Sequence, residues 1–230
     1  MRKLFAVAAV GGAGLATLHY LGRTAGSTRE ERHRVLPGDE VVPDPTFVTT
    51  HAVTIDAPPS AVWPWLVQMG WHQGGFYTSP WVDRLLFPAN EAAVDHIIPE
   101  LQHRTIGDFV PDGPPETECG YTIVGMEPER FLVLHSTTHL PLSWREHGAH
   151  LTWTWAFVLD DLGDGRTRLV FRSRGVAGPW WVSAFYQLAI VPADFVMSRQ
   201  MMRGVQTRAE RLAAQEQLAK HLHTMTAAAS

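Results

Sequence analysis

Residues 53–77 read VTIDAPPSAVWPWLVQMGWHQGGFY. Val53 and Ile55 alternate with polar neighbours, as on a half-buried strand. Pro58 and Pro59 stop that strand, and a proline suits the first turn of a helix, where its missing N–H costs nothing. Ala61, Val62, Trp65, Leu66 and Met69 then recur at three- and four-residue intervals, which places them on one face of a helix. Gly70 ends it, and the Gly74-Gly75 loop carries the chain to Phe76, Tyr77 and Trp81.

Ile55, Ala57, Pro58, Val62, Trp63 and Leu66, followed by Gln68-Met69-Gly70 and Gly74-Gly75-Phe76-Tyr77, resemble motifs of the SRPBCC superfamily, the START-like or polyketide cyclase/dehydrase-like proteins. The resemblance runs from about residue 37 to residue 212. It implies an α+β helix-grip fold, in which a curved antiparallel sheet wraps round a long C-terminal helix and encloses an apolar cavity. The implied function is the holding of a hydrophobic small molecule, such as a lipid or a polyketide-like metabolite, by a carrier or sensor. A cyclase or dehydratase with a buried acid/base is the alternative, and a protein whose cavity is packed shut is a third. Two positions depart from the family pattern: Gln73 stands where a basic residue is expected, and Pro80 where an acidic one commonly precedes Trp81.

The 230 residues allow one substantial domain and an appendage, and 45% hydrophobic with 18% charged residues describe a globular chain. A formal charge of −4 without a long basic run argues against a nucleic-acid partner. The nine tryptophans suit a core or a large pocket, since indole supplies broad apolar area with one polar handle. Cys119 is the single cysteine, so no internal disulfide forms.

Arg2 and Lys3 precede an uncharged run from Leu4 to Gly22, closed by Arg23. Eighteen helical residues span about 27 Å, close to the thickness of a bilayer core. The reading favoured here is a membrane anchor over 1–26, with a signal segment as the rival. A Lys/Arg count across the span turns the main domain to the cytoplasm. Residues 27–45 read as a linker, 46–215 as the START-like ligand-binding domain, and 216–230 as a frayed tail. The oligomeric state is left open.

Further along, 80–86 and 92–98 read as short helices, and 107–110, 121–126 and 131–135 as strands. Trp153, Trp155, Phe157 and Leu159 alternate with Thr154, Ala156 and Val158. After a Gly-containing turn, 168–174 return antiparallel, with Leu169 and Phe171 sharing the aromatic face. From Pro179 the pattern is helical, with Pro192 as a kink. Phe195, Met202, Val205, Ala209 and Leu212 form a seam fit to close over the sheet.

The ligand-binding set expected on these grounds is Gln68, Phe76, Tyr77, Trp81, His135, Trp153, Trp155, Phe157, Phe171, Leu188 and Phe195. Trp180 and Trp181 are placed at the cavity mouth, or else in an ordinary core. Gln68 either orients a ligand at the cavity wall or caps the loop after its helix. His135, Asp108, Glu100 and Tyr77 are the groups weighed for acid/base work, each with an ordinary structural alternative. His135, His139, His147 and His150 cluster in sequence, but on strand and loop their spacing does not put imidazoles on one face, so no metal and no cofactor is expected. Gly11-Gly12-Ala13-Gly14 fits close helix packing better than a phosphate loop, and no nucleophile elbow is present.

Overall fold

The computed structural model describes residues 2–86 and 91–228, with side chains from residue 12 onward except 83, 85, 86 and 228. Helices α1 (Arg2–Thr24) and α2 (Arg29–His33) lead into strand β1 (Phe47–Ile55), and α3 (Pro59–Val67) and α4 (Pro80–Leu86) follow. Strands β2 (Phe109–Pro111), β3 (Gly120–Glu127) and β4 (Phe131–Ser136) precede a short α5 (Leu142–Glu146). The hairpin of β5 (His150–Asp161) and β6 (Thr167–Gly178) then runs into α6 (Trp180–Phe185), a π turn (Tyr186–Ile190) and the long α7 (Val191–Ala228). All pairings in the six-stranded sheet are antiparallel, in the order β1-β6-β5-β4-β3-β2. An antiparallel sheet with a long C-terminal helix is the α+β arrangement that a helix-grip fold requires.

Alternation decides the two faces of the sheet. Trp155 lies opposite Ser173, Phe157 opposite Phe171 and Leu159 opposite Leu169, and their apolar side chains join one buried core. Val158, Val170 and Ala52 point the other way and meet Leu36 in a smaller cluster on the outer face. The core is closed by α3 and by the Met201, Met202, Val205, Ala209 and Ala213 face of α7. At Gly204 the helix crosses the Tyr77 backbone so closely that a Cβ would overlap the Tyr77 carbonyl oxygen. Only glycine permits that approach.

Residues 27–45 lie tied to the outer face. Arg168 pairs with Glu31 at 2.7 Å and Arg172 with Asp39 at 2.6 Å, while Arg174 donates to the Val42 carbonyl.

Two expectations are corrected. The span 92–98 is not helical; a 3₁₀ turn forms instead at Pro99–His103. Gly74 O accepts from Val94 N, and the Gln68 side chain bonds to both His96 O and Ile98 N, so these backbone groups are satisfied without a helical ladder. The membrane anchor is the second. A helix does form over Arg2–Thr24, but among the described residues no helix is long and apolar enough to cross a membrane. Its C-terminal end packs instead on protein: Gly22 leaves no room for a Cβ against the Val191 carbonyl, and Ala25 O accepts from Ala52 N of β1. A membrane location, and a cytoplasmic orientation inferred from it, are therefore not supported.

Pro192 acts where expected. It has no N–H for the Leu188 carbonyl and would crowd it, and the helix widens into a π turn over Tyr186–Ile190 just before it.

Candidate functional site

Between the inner face of the sheet and α7 lies a cavity of about 390 Å³. Trp153 and Trp155 of β5 form its floor, with Tyr121 of β3 beside them. Phe76 and Thr78, delivered by the glycine loop after α3, close one side, and Tyr186, Ile190, Ala193, Met197 and Met201 close the top. Tyr186 and Ile190 are the first and last residues of the π turn. The aromatic walls pack edge to face: Trp153 and Trp155 stand at 90° with centroids 5.6 Å apart, and Phe76 and Trp155 at 89° and 6.1 Å.

Polar groups enter this apolar lining at a few points. His139, in the loop after β4, places Nε2 2.8 Å from Asp112 Oδ2 and Nδ1 2.6 Å from Ser136 Oγ. With Asp112 ionised, Nε2 carries the hydrogen and donates it to the carboxylate, and Nδ1 accepts from the Ser136 hydroxyl. The His139 ring lies against Tyr121 at 4.4 Å and meets Trp153 edge-on at 5.4 Å. On the opposite wall Asp194 of α7 accepts from Thr49 at 3.0 Å, from Ser198 at 2.6 Å and from His51 Nε2 at 3.1 Å. Tyr186 donates to the His139 carbonyl at 2.9 Å, which anchors the loop that holds the histidine.

Two buried polar atoms of the lining find no hydrogen-bond partner among the described residues, the Tyr121 hydroxyl and the Trp155 indole nitrogen. Burial, reinforced by the Asp112 carboxylate, pushes the Tyr121 hydroxyl well above its ordinary pKa, so it remains a neutral donor. Trp153 differs from its neighbour in that its nitrogen donates to Ser173 Oγ.

Of the residues expected to bind ligand, Phe76, Trp153 and Trp155 line the cavity. Phe157 and Phe171 are stacked 4.9 Å apart in the core next to Trp155. The others lie elsewhere. Gln68 is fully buried and holds residues 96–102 through both ends of its amide. Tyr77 is buried in left-handed backbone, its hydroxyl donating to Trp65 O at 2.8 Å and its ring under the Arg208 guanidinium. Trp81 and Leu188 are exposed, at 53% and 66%. Phe195 packs beneath Arg199. His135 points to the outer face, because β4 places Leu132, Leu134 and Ser136 inward. Trp180 is 81% exposed, and Trp181 packs against Trp144.

Sequence reasoning missed Tyr121, Asp112, Asp194, His51 and Tyr186, and considered His139 only as one of a histidine cluster. One signal was available for Asp112. Val110 is apolar and two residues earlier, so alternation puts both on the same face of β2 and its extension.

No family model matches the chain, and no curated protein matches it either. Solved structures similar to it include a protein of Mesorhizobium loti, 14% identical over 72% of this chain and 98% of that one, with a TM-score of 0.40. A hypothetical protein of Helicobacter pylori is 9% identical over 76% of this chain and 95% of its own, with a TM-score of 0.46. A Thalictrum norcoclaurine synthase variant, solved with a transition-state analogue, is 14% identical over 71% and 93%, with a TM-score of 0.41.

Proposed function

We propose that this protein binds a compact, mostly apolar small molecule bearing at least one hydrogen-bonding group, and that residues 46–215 form the binding unit. The observation that carries this reading is the cavity of about 390 Å³, apolar and aromatic on most sides, whose lining holds an unpartnered hydroxyl and an unpartnered indole N–H. Small-molecule sites have this composition: apolar walls give affinity and a few placed polar groups give orientation. A ligand burying roughly 200 Å² of apolar surface gains about 5 kcal/mol before the costs of association are met. Tyr121 and Trp155 supply donors, so the complementary ligand group is an acceptor such as a carbonyl, ether or hydroxyl oxygen. The volume opposes the alternative of an interior packed shut, since cores at native density leave few voids larger than a water molecule.

Mass spectrometry of small molecules extracted from the purified protein tests the reading directly. In parallel, 8-anilinonaphthalene-1-sulfonate serves as a fluorescent probe of the cavity. Met197→Trp, which fills the space from α7, is expected to weaken probe binding at least about tenfold, the equivalent of 1.4 kcal/mol, with the urea midpoint preserved. No extracted molecule and no probe binding, or probe binding indifferent to the filled cavity, would sink the reading.

A further inference from the structure

We propose that the cavity is also a proton-transfer site, with Asp112 as general base and Tyr121 as donor to a carbonyl oxygen. Its substrate class is a compact apolar ketone with hydrogens on the carbon next to the carbonyl. This rests on the ligand-binding reading above and adds a reaction to it.

Two histidine–carboxylate pairs meet the cavity through their aspartates and differ in how fully the carboxylates are used. Asp194 takes three side-chain donors, Thr49 and His51 on Oδ2 and Ser198 on Oδ1, and its side chain is only 7% exposed. It has little capacity left for a ligand. Asp112 takes one side-chain donor among the described residues, His139 on Oδ2, and keeps 24% of its side chain open. A carboxylate offers about four lone-pair positions, so Asp112 retains acceptor capacity toward the cavity.

Register places Tyr121 beside it. Val110 pairs with Tyr121 across β2 and β3, and Asp112 N donates to Cys119 O at 2.9 Å, continuing the ladder by two residues. Residues two apart on a strand share a face, so Asp112 and Tyr121 both turn inward with the buried Val110. The His139 ring touches both, bonded to the Asp112 carboxylate and tilted at 41° against the Tyr121 ring. An acceptor and a donor thus converge on one apolar space.

The step balances without a co-reactant. The Asp112 carboxylate removes a proton from the α-carbon. The C–H electron pair becomes the enolate C=C bond, and the carbonyl π pair moves to oxygen, where the Tyr121 O–H hydrogen bond stabilises the charge. The Asp112 carboxyl exchanges its proton with solvent and delivers a solvent-derived one to carbon, so the cycle is a hydrogen exchange with no oxidation. His139 is a positioning residue: held by Ser136, its Nε2–H fixes the orientation of the carboxylate.

1-Tetralone, a bicyclic ketone, serves as the probe. Its deuterium uptake at the α-carbon in D₂O is followed by mass spectrometry, and its binding by quenching of tryptophan fluorescence and displacement of the sulfonate dye. The native protein should accelerate exchange about a hundredfold over buffer, and Asp112→Asn should abolish that acceleration while binding persists. Tyr121→Phe, which keeps the ring in place, should cost about tenfold or more. His139→Gln should lower the exchange rate with little change in binding, which a purely structural role would not do. Bound ketone exchanging at the buffer rate in the native protein overturns this proposal and leaves the binding reading standing. Neither dye nor ketone binding overturns both. Undiminished exchange in folded Asp112→Asn overturns the assignment of the base.

Discussion

On the outer face of the sheet, Arg168, Arg172 and Arg174 stand in a row on β6 and each is answered. Glu31 and Asp39 take the first two, Val42 O the third, and Arg172 also reaches Glu31 O, Arg34 O and Thr50. On the inner face of the same sheet, Tyr121 and Trp155 line an apolar cavity, and the buried hydroxyl of the one and indole nitrogen of the other find no partner among the described residues. The β6 arginines and these two cavity-lining groups therefore differ in whether the chain supplies a partner. Where the partners come from this chain, in residues 27–45, the polar groups hold structure. Where the chain provides none, the desolvation cost is left standing, and such a cost is tolerated where a ligand group completes the bond.

Arg172→Ala strikes the answered side and should have the largest effect. It removes a side chain only 3% exposed and leaves Asp39 short of its nearest partner, so a loss of about 3 kcal/mol is expected from urea unfolding. Dye binding per folded molecule should be unchanged. A loss of binding without a loss of stability would reverse the roles assigned to the two faces.

Tyr121→Phe strikes the unanswered side. Removing a buried hydroxyl that has no partner relieves its desolvation, so stability should hold or rise by about 1 kcal/mol while affinity for a polar ligand falls. Clear destabilisation in urea would mean that the hydroxyl is already paired, and the contrast between the faces would fail.

Cys119 offers a finer probe, because burial, with the Asp112 carboxylate adding to it, pushes its thiol up to about 12. Iodoacetamide should label the native protein slowly at pH 8, since thiolate is the reactive form. Asp112→Asn should increase the rate, and an unchanged rate would place the carboxylate farther from the thiol than the structure does.

The smallest effect concerns His135 on the outer face, where burial lowers its pKa below the ordinary 6.5. The folded state favours the neutral ring. Its contribution to stability is thus complete above pH 6.5 and is lost as pH falls through the folded value. Thermal midpoints of native protein and His135→Gln should run parallel above that pH and draw together below it. Parallel curves throughout would show that the ring is as solvated folded as unfolded.

Sequence alone determined the elements whose signal is local and periodic. The strand, helix and glycine loop of residues 53–77, the β5–β6 hairpin and the inward row of Trp153 and Trp155 follow from periods of two and near four, which side-chain direction enforces. Tertiary structure decided the rest. β4 reads FLVLHS, an apolar run with no alternation to set its phase, and a one-residue shift separates the outward His135 from the inward Ser136 that holds His139. Asp112 and His139 lie 27 residues apart, and the ladder from β2 through β3 to β4 brings them within bonding distance. The N-terminal run looked like an anchor because hydropathy weighs a segment by itself. Its docking on α7 and β1 depends on surfaces formed far along the chain. Pairing register and the packing of distant segments are global properties, and no window of sequence contains the partner that fixes them.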